Sequence, residues 1–148
     1  KRWPAEYYAE IAKFYVNKAW NVLCIGSKND EDIGIEIGSL NNLHSNEGFI
    51  NLIGKTSLQD AIDILAFTEK VVTNDSGLMH IAAAVKTPLV ALYGPSSPEY
   101  TPPLISKKKI LRKTQGYEKV RYGSNEKGYH QSLLDIKPEE VLDALEAL

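Results

Sequence analysis

The sequence TNDSGLMHIAAAVKTPLVALYGPSSP occupies residues 73–98, and the expected fold follows from it. The preceding β-branched run, 70–73, is typical of a buried strand. Small polar residues at 74–77 predict a tight turn. Apolar residues at helical spacing then predict a helix with one buried face: Leu78, Ile81, Ala82 and Val85. Pro88 ends that helix, because proline cannot continue the hydrogen-bond ladder, and the apolar run 89–93 predicts a second strand.

The remaining sequence continues this alternation of strands and helices. Apolar runs at 21–25, 49–53 and 107–111 predict further strands. Helices are expected to begin at four places: near Pro4, Asp30, Ser57 and Pro138. In the third helix Ser57 is the expected N-cap, and the expected buried face is Leu58, Ala61, Ile62 and Leu65. The order predicts an α/β fold with a parallel sheet.

Parallel sheets bind ligands beyond the carboxyl ends of their strands. Four turns follow predicted strands and should lie at that edge: residues 26–30, 54–57, 74–77 and 94–97. We therefore expect these turns to form one site.

Composition narrows the possible functions. With 148 residues, 43% hydrophobic and 24% charged, the chain is typical of a soluble globular domain with a core. The net charge of -2 provides no basic field, so a nucleic-acid partner is not expected. The single cysteine, Cys24, cannot form an internal disulfide, which favours a reducing compartment. No membrane-spanning run or signal peptide is visible, and a start at Lys1 rather than Met indicates a fragment.

The turn 74–77 allows two interpretations. Its amides and the Ser76 hydroxyl can bind phosphate at a helix N-terminus, or its side chains can simply cap the helix. A carboxylate repels a diphosphate, so Asp75 is expected to bind hydroxyls or to orient its neighbours. His80 lies about one helical turn after Gly77 and could face the same pocket, although packed or solvated histidines are commoner. A Ser–His–Asp hydrolase triad is disfavoured, because no G-x-S-x-G elbow is present.

Other charged residues have similar alternatives. The acidic run 30–32 has a D-x-D spacing that could hold a metal, but acids favoured by a helix dipole are the commoner case. Asp30 could instead reach ribose hydroxyls. Lys1 and Arg2 could neutralise phosphate or be solvated, and the run 107–109 is typical of a solvated face.

Residues 114–131 have no clear period and are rich in aromatic and basic side chains: Tyr117, Lys119, Arg121, Tyr122, Lys127, Tyr129 and His130. Irregular segments of this length are usually functional or mobile. This segment could close over a sugar or contact an anionic acceptor. The alternative is a surface loop.

Four separated motifs occur in a familiar order. They are KRWP at 1–4, TNDSGLMH at 73–80, LVALYGPSSP at 89–98 and GYHQS at 128–132. Together they resemble glycosyltransferase family 9, the heptosyltransferases. The resemblance covers nearly the whole chain.

The resemblance implies a GT-B architecture, in which two Rossmann-like domains face each other across a cleft. Residues 1–148 would be the C-terminal half, the domain that binds the nucleotide-sugar donor. Members are inverting enzymes without an active-site metal or a cofactor. They transfer heptose from ADP-heptose to the inner core of lipopolysaccharide, in the cytoplasm and peripheral to the inner face of the bacterial inner membrane.

The resemblance also implies roles for individual residues. Lys1 would neutralise the diphosphate or a sugar-proximal oxygen, and Asp30 would bind the adenosine ribose. The turn 54–57, with Lys55 and Thr56, would lie near adenine. The diphosphate and the heptose hydroxyls would be bound by Asp75, Ser76, Gly77 and His80. Catalysis would come from stabilising the ADP leaving group, with Lys1, Asp75 and His80 as the catalytic residues.

Two parts of the family pattern are absent from the chain. One is the N-terminal acceptor domain with its general base, and the other is the first strand of the donor domain with its phosphate loop. That strand is central in a doubly wound sheet, so we expect unpaired strand edges. The expected function is the donor-binding half of a heptosyltransferase, inactive in isolation. The alternative is a non-catalytic nucleotide-binding or interaction module of the same fold.

Overall fold

The computed structural model describes residues 2–116 and 127–148. Its α-helices are α1 (Ala5–Asn17), α2 (Glu31–Ser39), α3 (Leu58–Ala66), α4 (Gly77–Ala84), α5 (Gln131–Leu134) and α6 (Pro138–Glu146). Its strands are β1 (Val22–Cys24), β2 (Phe49–Asn51), β3 (Val71–Asn74), β4 (Leu89–Tyr93) and β5 (Lys108–Arg112). Short 3-10 helices occupy Lys28–Asp30 and Leu40–Ser45. Within the described ranges, no helix has the length and apolar character needed to cross a bilayer.

The expected parallel strands with flanking helices are confirmed, and they form two sheets. In the first, β1 pairs with β2, with Val22 opposite Phe49. In the second, β4 lies between β3 and β5, with Leu89 opposite both Val71 and Lys108. The chain divides into two compact units, Lys1–Pro4 with Ile62–Leu148 and Ala5–Ala61. Each sheet lies within one unit.

The unit Ala5–Ala61 has its own apolar core: Ala5, Ala9, Ala12, Val16, Ile37, Leu43 and Phe49. Glycines disfavour a helix, yet α2 contains Gly34, because the helix approaches β2 closely there. A Cβ at Gly34 would lie 2.7 Å from Asn51 Oδ1. The segment expected to be irregular at 41–48 begins with a 3-10 helix, interrupted by Asn41 and Asn42 with φ of 55° and 53°. Asparagine tolerates this left-handed conformation better than most residues.

Helix α3 confirms the predicted cap and corrects the predicted buried face. Ser57 N–H donates to Asp60 Oδ2 at 2.9 Å, and Asp60 N–H donates to Ser57 Oγ at 3.1 Å. Ala61 and Leu65 are buried as expected. Leu58 is 68% exposed, because the whole first turn of the helix lies on the surface.

The other unit is built on β4, whose five residues are all buried. Beside it, α4 buries Ala82 as expected, together with Met79 and Ala83. The other residues of the expected face, Leu78, Ile81 and Val85, are only half-buried. The helix is apolar around most of its circumference, so residue spacing alone does not identify the packed side.

Candidate functional site

The turn that follows β3 is fixed by hydrogen bonds. Asp75 N–H donates to Leu92 O of β4 at 3.3 Å, and the Thr73 hydroxyl donates to the Asn74 carbonyl at 2.9 Å. Ser76 is the N-cap of α4, and its Oγ accepts the Met79 N–H at 3.4 Å. The turn is therefore anchored to β4 and leads directly into the N-terminus of α4.

The N-terminus of α4 is open on its outer side. Gly77, the first helical residue, is exposed, and a Cβ added there would meet nothing within 4 Å. Asp75 and Ser76 are half-buried, while His80 is exposed one turn along the helix. Amides in the first turn of a helix have no partner within the helix and carry a partial positive charge. The structure thus brings together four predicted residues around a position suited to an anion.

Tyr93 lies beneath this turn and was not indicated by the sequence pattern, in which it reads as the end of a core strand. Its side chain is fully buried, and its hydroxyl donates to the Thr101 carbonyl. Burial, together with the negative charge of Asp75, raises the pKa of Tyr93 to about 12. The Tyr93 phenol therefore stays protonated at pH values where an exposed tyrosine has begun to ionise.

Arg112 is a second residue at this edge that the sequence pattern did not indicate. It ends β5, opposite Tyr93 in the register, whereas the strand was expected to end at Leu111. Its Nη2 donates to the Gly116 carbonyl, and its Nε is buried without a partner among the described residues. The signal available in the sequence was a basic residue directly after an apolar pair.

The unit Ala5–Ala61 holds the remaining predicted residues that are described. The Asp30 carboxylate accepts from Ser27 N–H at 3.3 Å and from Ser27 Oγ at 2.9 Å, so it closes its own turn. Lys55 is exposed, with Nζ donating to Asn51 O at 3.3 Å, and Thr56 is half-buried. A hydrogen bond of 3.1 Å from Gly54 N–H to Gly26 O joins these two turns at the carboxyl edge of β1 and β2.

One expectation about a loop needs correction, and others concern residues outside the described ranges. The turn 94–97 was expected to line the site, but all four residues are buried, with Ser97 only 1% exposed. The turn belongs to the core, because Gly94 packs against Leu133 of α5. Lys1 and residues 117–126 lie outside the described residues. His130, from the same segment, caps α5 by accepting Ser132 N–H at 3.3 Å.

No arrangement of three or more His, Cys, Asp or Glu side chains suited to a metal ion occurs among the described residues. An open groove of about 980 Å³ lies at the other end of the β3–β5 sheet, with Pro88 and Lys107 in its lining. Both residues directly precede strands, so the groove is at the amino edge. Ligands of parallel sheets bind at the carboxyl edge, which favours the turn at 74–77 as the site.

Comparison with known proteins identifies relatives of this chain. Residues 1–130 match the model of glycosyltransferase family 9 (heptosyltransferase). The whole chain is 49% identical to lipopolysaccharide heptosyltransferase 2 of Salmonella typhimurium, of which it covers 42%. It is 51% identical to lipooligosaccharide heptosyltransferase 2 of Haemophilus influenzae, of which it covers 43%.

A solved structure described as E. coli ADP-heptose lps heptosyltransferase II superposes on 99% of this chain with a TM-score of 0.88 and 46% identity. The superposition covers 41% of that structure, so this chain spans less than half the length of the relatives it matches. The match of the family model over most of the sequence shows that the chain belongs to glycosyltransferase family 9, the heptosyltransferases.

Proposed function

We propose that this chain is the donor-binding part of a heptosyltransferase that moves heptose from ADP-heptose to the inner core of lipopolysaccharide. The observation that carries the proposal is the open N-terminus of α4 at the carboxyl edge of β3, in a chain 49% identical to a lipopolysaccharide heptosyltransferase 2. An acceptor hydroxyl would attack the anomeric carbon as the bond to the phosphate oxygen of ADP breaks. The hydroxyl proton would go to a base outside this chain.

The diphosphate would bind at the first turn of α4. The amides of Ser76 and Gly77 are suited to it, because helix N-termini attract anions and Gly77 leaves the approach clear. Negative charge grows on ADP as it leaves, and fixed amide dipoles stabilise that charge without reorganising. The hydrogen bonds that tie the turn to β4 keep these dipoles in place.

Asp75 and His80 would bind hydroxyl groups of the heptose. A carboxylate accepts from sugar hydroxyls and repels phosphate, so Asp75 would help to place the sugar beyond the diphosphate. His80, exposed on the first turn of α4, would contact the sugar or a phosphate oxygen. Lys1 would add a positive charge, as the family resemblance implies.

Asp30, Lys55 and Thr56 would contact the adenosine part of the donor. The Asp30 carboxylate accepts two hydrogen bonds from Ser27, and a carboxylate can accept about four. Its bonds to Ser27 therefore do not preclude a contact with ribose hydroxyls. The hydrogen-bonded turns of Gly26 and Gly54 would present main-chain groups to the base.

The acceptor would be bound by a part of the protein outside this chain. Since lipopolysaccharide is a membrane lipid, we propose that the protein works at the cytoplasmic face of the inner membrane as a peripheral protein. The proposal includes no cofactor, and ADP-heptose takes part as the donor substrate.

The test is transfer of heptose by the full-length protein and its variants. Asp75→Asn keeps the shape of the side chain and removes its charge, and we expect a loss of at least about tenfold in kcat/KM. For His80→Ala we expect a loss of about tenfold. Asp143→Asn, at an exposed position of α6, is the matched control and should leave transfer unchanged. Normal transfer by both site variants would show that Asp75 and His80 are not site residues, whereas no transfer by the unaltered protein would favour the non-catalytic module.

A further inference from the structure

Arg112 lies on the same side of the β3–β5 sheet as helix α4. It is opposite Tyr93 in the register, and residues paired in this way point to the same face of a sheet. The Tyr93 hydroxyl lies 3.5 Å from Met79 Sδ of α4, which identifies that face. On the other side of Tyr93, the N–H of Asp75 donates to Leu92 O, as it does when Asp75 pairs with Tyr93 in a parallel ladder. Three residues, one at the end of each strand, therefore form a row across the sheet: Asp75, Tyr93 and Arg112.

The length of this row follows from the geometry of a sheet. Neighbouring strands lie about 4.8 Å apart, so two steps place the Cα atoms of Asp75 and Arg112 roughly 10 Å apart. Arg112 is thus close enough to belong to the candidate site, but it lies two strands away from the turn that leads into α4.

The guanidinium group of Arg112 lacks a counter-ion. The side chain is half-buried, and it makes no ion pair within residues 2–116 and 127–148. Its Nη2 donates to the Gly116 carbonyl, and its Nε is buried without a partner in those ranges. Partial burial of a charge is costly unless an opposite charge compensates it. An oxyanion at the two outer nitrogens would supply that charge, and its shape suits a planar guanidinium.

The neighbouring basic residue has the counter-ion that Arg112 lacks. Successive residues of a strand point to opposite faces, and Lys113, directly after Arg112, forms an ion pair with Glu140 of α6. Two adjacent positive charges therefore differ in one respect. Lys113 is neutralised by a carboxylate of its own chain, whereas Arg112, on the side of α4, is not neutralised by any residue that the structure describes.

The donor does not supply an anion at this end of the row in the arrangement proposed above. Its diphosphate would bind at the first turn of α4, and its heptose, which is uncharged, would lie near Asp75. The attacking hydroxyl must be aligned with the bond that breaks, so it approaches the anomeric carbon from the side opposite to the departing phosphate. The acceptor therefore follows the heptose along the same line, and an acidic group of the acceptor is the anion suited to Arg112.

We propose that Arg112 binds an anionic group of the acceptor, a carboxylate or a phosphate, and thereby favours acidic acceptor sugars. The inference rests on the proposed function, because it concerns the second substrate of the same transfer. Arg112 would contact the acceptor through Nη1 and Nη2, while its buried Nε would not take part. Binding of ADP-heptose would not depend on Arg112.

The experiment measures KM for both substrates with the full-length protein. Arg112→Gln removes the charge and keeps a polar side chain. We expect KM for the acceptor to rise about tenfold, as one hydrogen bond to a charged group is worth, while KM for ADP-heptose and kcat change less than twofold. Arg112→Lys retains the charge without the planar fork, so it should fold and raise KM for the acceptor about threefold.

Modified acceptors identify the group that Arg112 binds. In one acceptor the carboxylates are converted to methyl esters, and in another the phosphates are removed with a phosphatase. The ratio of acceptor KM between Arg112→Gln and the unaltered protein should fall to about one with the acceptor that lacks the bound group. A ratio that persists with an acceptor carrying both modifications would overturn the inference.

Lys113→Gln is the matched control, because it removes one positive charge from the next position in the chain. Exposed ion pairs contribute little to stability, so this variant should fold normally. We expect both KM values to remain unchanged. A rise in acceptor KM equal to that of Arg112→Gln would show a general effect of net charge and would overturn the inference.

The remaining outcomes separate this inference from the proposed function. Failure of the unaltered protein to transfer heptose would overturn the proposed function and the inference with it. If the unaltered protein is active, a rise only in KM for ADP-heptose would assign Arg112 to the donor and overturn the inference alone. Equal rises in both KM values, a fall in kcat alone, or unchanged kinetics in both Arg112 variants would do the same.

Discussion

The two sheets differ in how deeply their strands are buried. In the β3–β5 sheet, the central strand β4 has a partner on both sides and all five of its residues are buried. In the other sheet, β1 and β2 have only each other among the described residues, and Leu23 and Ile50 are each 40% exposed. A strand with two neighbours can be covered completely, whereas two-stranded sheets rely on other contacts for stability. The β3–β5 sheet should therefore be the stable base of the candidate site.

The largest effect on stability is expected from removing a buried apolar side chain of β4, and a similar substitution in β1 serves as the comparison. Leu92→Ala in β4 opens a cavity at a site that is 1% exposed and should reduce the free energy of unfolding by about 2–5 kcal/mol. Leu23→Ala in β1 removes a side chain that is already 40% exposed and should cost less than about 1.5 kcal/mol. Urea unfolding of both variants measures the difference. Equal losses would mean that the burial contrast does not govern stability.

A smaller effect is expected from adding a methyl group to a glycine. In Gly94→Ala the new Cβ would lie 2.8 Å from Leu133 Cγ, and the overpacking should cost about 1–3 kcal/mol. Gly77→Ala is the matched control, because nothing lies within 4 Å of its Cβ position. The control should unfold at the same denaturant concentration as the unaltered protein, or slightly higher. A stable Gly94→Ala variant would show that the turn 94–97 is looser than its burial indicates.

Removal of the N-cap of α3 should have a moderate effect on the free energy of unfolding. Ser57→Ala deletes the hydroxyl that accepts the Asp60 N–H, and such N-cap losses typically cost about 1 kcal/mol. Ser57→Asp, which supplies another capping oxygen, should restore most of the stability. Thermal unfolding monitored by circular dichroism tests both variants. No loss in Ser57→Ala would show that packing, and not the cap, sets the start of α3.

The smallest effects at neutral pH concern two raised pKa values, one in each unit, since both act only in alkaline solution. Burial raises the pKa of Cys24 from 9.0 to about 12, so the native thiol should react with iodoacetamide far more slowly at pH 9 than the unfolded thiol. The pKa of Tyr93 is raised from 10.0 to about 12, which means that the folded state binds this proton more tightly. Its contribution to stability is therefore complete below pH 10 and is lost as the pH rises to 12.

Tyr93→Phe should remove that loss of stability between pH 10 and pH 12, and unfolding curves across this range measure it. A pH dependence that persists unchanged in the variant would assign the effect to another group. For Cys24, equal alkylation rates in the native and unfolded protein would contradict the burial of its thiol.

Local sequence patterns predicted the order of the α-helices and strands except for the short helix α5, and also the cap of α3 and the turn before α4, because each depends on residues close in sequence. They did not predict the packed side of α4, since its apolar residues surround most of the helix. They also gave no indication of the bonds from Trp3 to Asn74 and Ile136, which join residues 71 and 133 positions apart. The apolar runs at 21–25 and 89–93 look alike, yet the number of neighbouring strands differs, and that number depends on the rest of the sheet.

The central claim is that ADP binds at the first turn of α4. Titration of the isotope-labelled chain with ADP, followed by amide chemical shifts in NMR spectra, tests it most directly, with UDP as the control nucleotide. We expect saturable shifts that are largest for the Ser76 and Gly77 amides, at lower concentrations of ADP than of UDP. Unchanged amides at Asp75, Ser76 and Gly77, with shifts confined to the groove around Pro88 and Lys107, would contradict the account.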